Sequence, residues 1–345
     1  MLVPEQTIEA IRRALLLKPA IGIGIVSLCA WSGPAHAVSC GDVLGPGGVV
    51  VLSQDLSCDT LPVLTVEGPV TFNLRGFRVV CDPAGGTGID VIGSQARTRN
   101  GTIENCAIGM MVEGEGGHRL TRLTVRSPDV PGNGGIGFQV KSGRNRFVRN
   151  LVEKFAGEGF RLGDDGVTAD QNRLVFNKVI DSENHGFRVR IGQRNLFIRN
   201  IAKRNTGEGF RSQDRDNQFF SNKAYDNADE GFRIRDEAAQ NNLVISNRVK
   251  GNGLDPCNLA AGDANPGIAV VSEAAGNEVR RNKVLGNCIG IAVDAGALRN
   301  AIILNTVLGS SLVDMADGNV DCDENEWRGN EFETSIALPS PECIR

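Results

Sequence analysis

Ten side chains suited to proton transfer and anion binding recur at set places in this sequence. Two residues before each of four phenylalanines stand Glu158, His185, Glu208 and Glu230; one residue after them stand Arg161, Arg188, Arg211 and Arg233, with Arg190 and Arg235 two further on. Imidazole titrates near neutral pH, and a carboxylate neighbour favours its charged form, so His185 is the candidate proton carrier. Glu158 and Glu208 flank it one repeat away, which makes the three a candidate acid–base set. Arginine forks pair bidentately with carboxylates, so the arginine row is a candidate binding surface for a repeating anion. Two chemistries use such a set. Proton abstraction beside a uronate carboxylate needs a base, here His185, and neutralising cations, here Arg188, Arg190 and Arg211. Glycoside hydrolysis needs two carboxylates, one as acid and one as base or nucleophile. A plain structural account also stands: a charged, solvated outer face, its arginines neutralised by the glutamates and by Asp164, Asp165, Asp181, Asp214 and Asp216.

The elements that must position these residues follow from two interleaved phrases. Gly137-Phe138, Gly159-Phe160, Gly186-Phe187, Gly209-Phe210 and Gly231-Phe232 recur every 22 to 27 residues, with weaker copies at Gly88-Ile89, Gly267-Ile268 and Gly290-Ile291. Asparagines five apart recur from Asn145/Asn150 to Asn325/Asn330. A fixed period in this range marks stacked repeats. The residues two and seven after each first Asn are apolar, and Phe160-Arg161-Leu162 and Phe187-Arg188-Val189 alternate with period two, which specifies strands. About three short strands per repeat describe one coil of a parallel β-helix. Asparagine is expected at the bends because it tolerates left-handed backbone angles, and stacked Asn side chains can bond along a ladder. Leucine-rich repeats are excluded by the missing Leu-x-x-Leu-x-Leu phrase.

On the Gly-Phe and paired-Asn phrases, the sequence from about Val63 to Asn330 resembles the right-handed parallel β-helix repeat proteins, which include pectate lyases, polygalacturonases, alginate epimerases and NosD-type proteins. The head segments CGDVLGPGGVVVLSQDLSC and VTFNLRGFRVVC resemble the cap and first coils of secreted members. The resemblance implies an all-β, single right-handed parallel β-helix of about ten coils with capped ends. It does not imply a reaction, because fold does not supply function. The order Asp164-Asp165, His185-Gly186, Arg233-Ile234-Arg235 is faintly similar to that of polygalacturonases, but the leading Asn-Thr-Asp is missing. The pectate-lyase Arg-x-Pro-x-x-Arg and alginate-epimerase Asp-Pro-His-Asp motifs are absent.

Residues 1–37 read as a secretory signal: Arg12, Arg13 and Lys18, then an apolar run too short to span a bilayer, then Ala35-His36-Ala37. A secreted or periplasmic location follows. Eight cysteines remain, an even set suited to disulfides: Cys40, Cys58, Cys81, Cys106, Cys257, Cys288, Cys322 and Cys343. Residues one coil apart should touch, which favours pairing in sequential order. No Cys-x2–4-Cys spacing supports a metal site. The expected layout is an N-terminal cap at 38–62, the β-helix at 63–330 and a C-terminal tail at 331–345. A formal net charge of −4 argues against nucleic acid as partner.

Insertions at 127–135 and 252–266 precede Gly-Phe strands at one corner and bracket the coils that carry the arginine row, and a third at 163–171 leaves the other end of a strand. Loops on rigid scaffolds carry function disproportionately, so a groove is expected over residues 159–235, walled by the first two. The expected substrate is an acidic polysaccharide or cell-surface glycan, handled by a monomer, with no cofactor required and calcium left open. The substrate-binding set is Arg161, Arg188, Arg190, Arg211, Arg233 and Arg235. Alternatives are a polygalacturonase-like hydrolase and a non-catalytic carbohydrate-binding or adhesion rod.

Overall fold

The computed structural model describes residues 37–344 apart from 128–134, 165, 255–256, 258–264, 321, 323 and 339–342. The expected signal peptide, and most of the insertions at 127–135 and 252–266, therefore lie outside the described residues. Short strands end at the bends before the paired asparagines, so the central repeats fold as three strands joined by bends. Thirteen strands, from Val43–Leu44 to Ser335–Leu338, pair in parallel as the sheet that contains the Gly-Phe strands. The strand after the first Asn and the strand after the second Asn of each repeat build two further parallel ladders, here the first and second Asn sheets. They merge where Arg97–Glu104 and Arg119–Arg126 run through both. No α-helix occurs among the described residues.

The register explains the period. Phe160 pairs with Phe187, Phe187 with Phe210 and Phe210 with Phe232, so identical residues stack. The rings of Phe138, Phe160, Phe187, Phe210 and Phe232 form one column with centroids 4.5, 5.1, 4.9 and 4.6 Å apart and near-parallel planes. Phe197 and Phe219 stack beside it on the first Asn sheet at 4.7 Å. All are buried. Large rings at strand spacing fill the interior without voids and add ring–ring attraction to apolar burial.

The asparagines sit differently from expectation. All but the last pair, Asn325 and Asn330, are buried, and the left-handed residue at each bend is the one before them: Arg144, Gln171 and Arg194 before the first Asn, Arg149, Phe176 and Arg199 before the second. That turn throws the Asn side chain inward, where its amide replaces the backbone pairing the bend has lost. Asn200 Oδ1 accepts from the Asn177 backbone N–H at 2.8 Å and from Asn177 Nδ2 at 3.0 Å, while Asn200 Nδ2 donates to the Leu174 carbonyl at 2.9 Å. The same pattern runs down the Asn145 to Asn325 ladder. A third ladder joins Asn205, Asn227, Asn252 and Asn287.

The cysteines pair sequentially: Cys40–Cys58, Cys81–Cys106, Cys257–Cys288 and Cys322–Cys343, with Cα separations of 5.2 to 6.0 Å. The ends differ from the expected layout. Residues 38–62 hold three strands already in register with the next coil, so the helix begins at Val43. Ser335–Leu338, expected as tail, adds a strand to the Gly-Phe sheet.

Candidate functional site

Each Gly-Phe pair sends two consecutive residues inward. A Cβ on Gly159 would lie 2.3 Å from Val179 Cγ1 and 2.6 Å from the Gly186 carbonyl oxygen, so no other residue fits. The period-two alternation therefore slips by one, and Glu158 lands on the outer side with Arg161. The same slip places His185, Glu208 and Glu230 beside the arginine row. Apolar residues bound the set: Ile136 pairs with Glu158 on one side, and Ala269 pairs with Arg233 on the other.

The structure bears out the internal neutralisation of the plain structural account but corrects its solvation: the acids and His185 are buried, while the arginines over them stay partly exposed. Glu158 and Glu208 are 1% exposed, Glu230 3% and His185 8%. The arginines lie over the carboxylates as a lid and bridge them between coils. Glu158 accepts from Arg161 Nε at 2.5 Å and from Arg188 Nη1 at 2.7 Å. Arg188 also donates to Gln213 at 2.8 Å. Arg233 reaches Glu230 at 3.2 Å and Glu208 at 3.6 Å. Asp164 takes Arg161 at 3.1 Å, Gln139 at 3.0 Å and Arg190 in close contact. Arg235 pairs with its neighbour Asp236 at 2.9 Å, and Asp236 accepts from Gln213 at 2.6 Å, which links it to Arg188. The expected arginine row is thus largely neutralised from within.

At the centre, His185 joins Glu208 and Arg211. Two groups face His185 Nδ1: the Glu208 carboxylate, in ion-pair contact, and the Glu208 backbone N–H at 3.3 Å. Arg211 Nη1 lies 3.1 Å from Nε2. Arginine only donates, so the nitrogen facing Arg211 is the acceptor; the ring proton then sits on Nδ1 toward the carboxylate, and the Glu208 backbone N–H, which also points at Nδ1, is left without its acceptor there. Arg211 also reaches Glu208 at 3.4 Å. The orienting carboxylate behind a histidine is the arrangement a general base requires.

The carboxylates separate electrically. Burial pushes the Glu208 carboxyl up, but His185 and Arg211 outweigh it and hold it down at about 2. Burial likewise opposes Arg161 and Arg188 at Glu158, and the arginines again win, leaving it lowered. Glu230 goes the other way. Burial, only partly offset by Arg233, raises it to about 7. Its Oε2 has no hydrogen-bond partner among the described residues. Half-buried Asp229 next to it is raised as well, first by burial and then by Glu208.

Glu230 belonged to the acidic column by spacing, but nothing in the pattern separated it from Glu158 and Glu208. Gln139 and Gln213 carried no signal at all, since their roles depend on cross-coil contact. Among the described residues no group of three or more His, Cys, Asp or Glu converges as metal ligands.

The family model "Right handed beta helix region" matches residues 137–307. The fold is a right-handed parallel β-helix. Among solved structures, this β-helix is similar to the A-module of the Azotobacter vinelandii mannuronan C-5 epimerase AlgE6, at 16% identity and a TM-score of 0.65, covering 87% of this chain and 91% of that one. It is similar to the periplasmic alginate epimerase AlgG, at 14% identity and a TM-score of 0.57, covering 84% and 78%. It is also similar to the catalytic unit of a GH87 alpha-1,3-glucanase from Streptomyces thermodiastaticus, at 11% identity and 0.57, covering 86% of this chain and 64% of that one. At these identities the likeness is one of fold. No curated protein matches the sequence.

Proposed function

We propose that this β-helix acts on an acidic polysaccharide at the His185 face by abstracting the proton next to a uronate carboxylate. The observation that carries the reading is the line Glu208–His185–Arg211: a carboxylate on Nδ1, an accepting Nε2, and a cation at 3.1 Å from that nitrogen. A substrate carboxylate draws Arg211 toward itself and frees Nε2. Nε2 then takes the C5 proton while Arg211 neutralises the carboxylate, where negative charge accumulates. The electron pair left on C5 has two outcomes. It forms the C4=C5 bond as the C4–O4 bond breaks and O4 takes a proton from water, which is elimination; or C5 takes a proton from water on its other face, which is epimerisation; in both, the hydroxide left behind takes back the proton held on His185. Fold neighbours named for alginate and glucan support a carbohydrate substrate. Four disulfides and a periplasmic neighbour support an oxidising, extracytoplasmic location.

Incubation with pectate, alginate and glucuronan tests this. Ultraviolet absorbance from a new C4=C5 bond marks the lyase, and deuterium entering C5 from heavy water marks the epimerase. Neither signal on any of the three removes the reading.

One observation favours a second reading. Glu208 and Glu230 both touch Arg233, yet Glu208 is held ionised and Glu230 is pushed up to about 7. Neighbouring carboxyls with separated titrations are the acid and base of glycoside hydrolysis. New reducing ends without ultraviolet absorbance would select it.

A further inference from the structure

A second arginine row lies on another face. Arg97, Arg119, Arg146 and Arg173 occupy one position in four successive strands of the first Asn sheet, directly in register. All four are exposed. Among the described residues none has an ion pair or a side-chain hydrogen bond. The contrast with the His185 face is physical. There, buried carboxylates stand between the arginines. Here, like charges face one another at about 4.8 Å, an arrangement that destabilises a sheet, and among the described residues no carboxylate pairs with them.

The row borders two adjoining cavities. One, of about 510 Å³, is lined by Arg97, Arg119, Arg144 and Arg146; the other, of about 420 Å³, by Arg97, Arg99, Arg119 and Arg149. Glu115 is the one carboxylate lining either among the described residues. We propose that this furrow binds a linear acidic polysaccharide, one carboxylate per rung, on a face separate from that of His185. The proposal holds whether or not the His185 face turns substrate over.

Two features select a polyuronate over a nucleic acid. The rungs advance about 4.8 Å, on the scale of one sugar unit, whereas phosphates along one DNA strand advance about 3.4 Å. The outward positions beside Arg119, Arg146 and Arg173 hold Thr121, Val148 and Val175 rather than aromatic rings on which a base could stack, and the exposed ring of Phe176 at the bend after Val175 is already faced by Arg149 and Arg199.

The test is equilibrium binding of a labelled oligogalacturonate to the full chain, with neutral maltooligosaccharide and oligo(dT) for comparison. Binding should weaken as salt rises from about 50 to about 200 mM, by displacement of the ionic contacts. Arg119→Gln with Arg146→Gln should lower affinity roughly tenfold or more without lowering the melting temperature, since both side chains are exposed and repel each other. Lys178→Gln with Arg248→Gln, exposed on the second Asn sheet and outside both faces, should leave affinity unchanged. Equal affinity in the Arg119/Arg146 double variant, tighter binding of oligo(dT), or an equal loss in the Lys178/Arg248 control would each overturn the furrow. Turnover at the His185 face is read separately, by ultraviolet absorbance and deuterium uptake, so failure here is distinct from failure of the proposed reaction.

Discussion

Arg211 Nη1 stands 3.1 Å from His185 Nε2, so the nitrogen that would accept a proton is covered by a cation until an anion draws that cation off. His185→Ala should therefore lower kcat by about 10²- to 10⁴-fold, the usual worth of a positioned base. Arg211→Gln should raise KM as well as lower kcat, because it removes the substrate carboxylate's partner. A variant lacking His185 with full turnover ends the base assignment.

Glu230 should make stability fall with rising pH. Its folded carboxyl, raised to about 7, keeps a proton that the unfolded chain has released above the ordinary glutamate value of 4.5. Stability is then lost as pH climbs through that window. Glu230→Gln, neutral throughout, should match the parent near pH 4 and melt higher than it at about pH 8. A melting difference that does not change with pH would show that Glu230 is not held protonated.

Glu208 should act in the opposite direction. Its carboxyl is depressed to about 2, so the stability it contributes is complete above 4.5 and is lost as pH falls toward 2. The magnitude is on the order of 3 kcal/mol. Denaturant titrations of Glu208→Gln and the parent should differ at neutral pH and converge at about pH 2.

Phe187→Ala opens a cavity between the rings of Phe160 and Phe210, 5.1 and 4.9 Å away, and should cost about 3–5 kcal/mol. Asn200→Leu should cost roughly 1–3 kcal/mol for each buried group it orphans, beginning with the Asn177 N–H and the Leu174 carbonyl. A loss under about 1 kcal/mol in either variant would mean that the stack or the ladder is not what holds adjacent coils together.

Protein beginning at Val38, denatured without reductant, should titrate no free thiol, since Cys40, Cys58, Cys81, Cys106, Cys257, Cys288, Cys322 and Cys343 are paired. Two or more thiols would contradict the four-bridge arrangement.

The repeat and the core were legible in the sequence because a solenoid stacks like on like. A phrase that recurs every 22 to 27 residues has to place Phe160 over Phe187 and Asn177 over Asn200, and cysteines one coil apart have to meet. The Glu/His and Arg columns were legible for the same reason. Tertiary structure decided what those columns are. The glycine slip puts Glu158 beside Arg161, and neighbouring coils then bury the acids under the bases, so a row that looked like an open anion site is mostly compensated. Whether Glu208 or Glu230 keeps its proton depends on how many cations reach each across coils, and spacing along the chain does not encode that. The uncompensated row at Arg97, Arg119, Arg146 and Arg173 carries no Gly-Phe marker. It became visible only when four strands 22 to 27 residues apart were set side by side, because a charge is free or paired according to its neighbours in space.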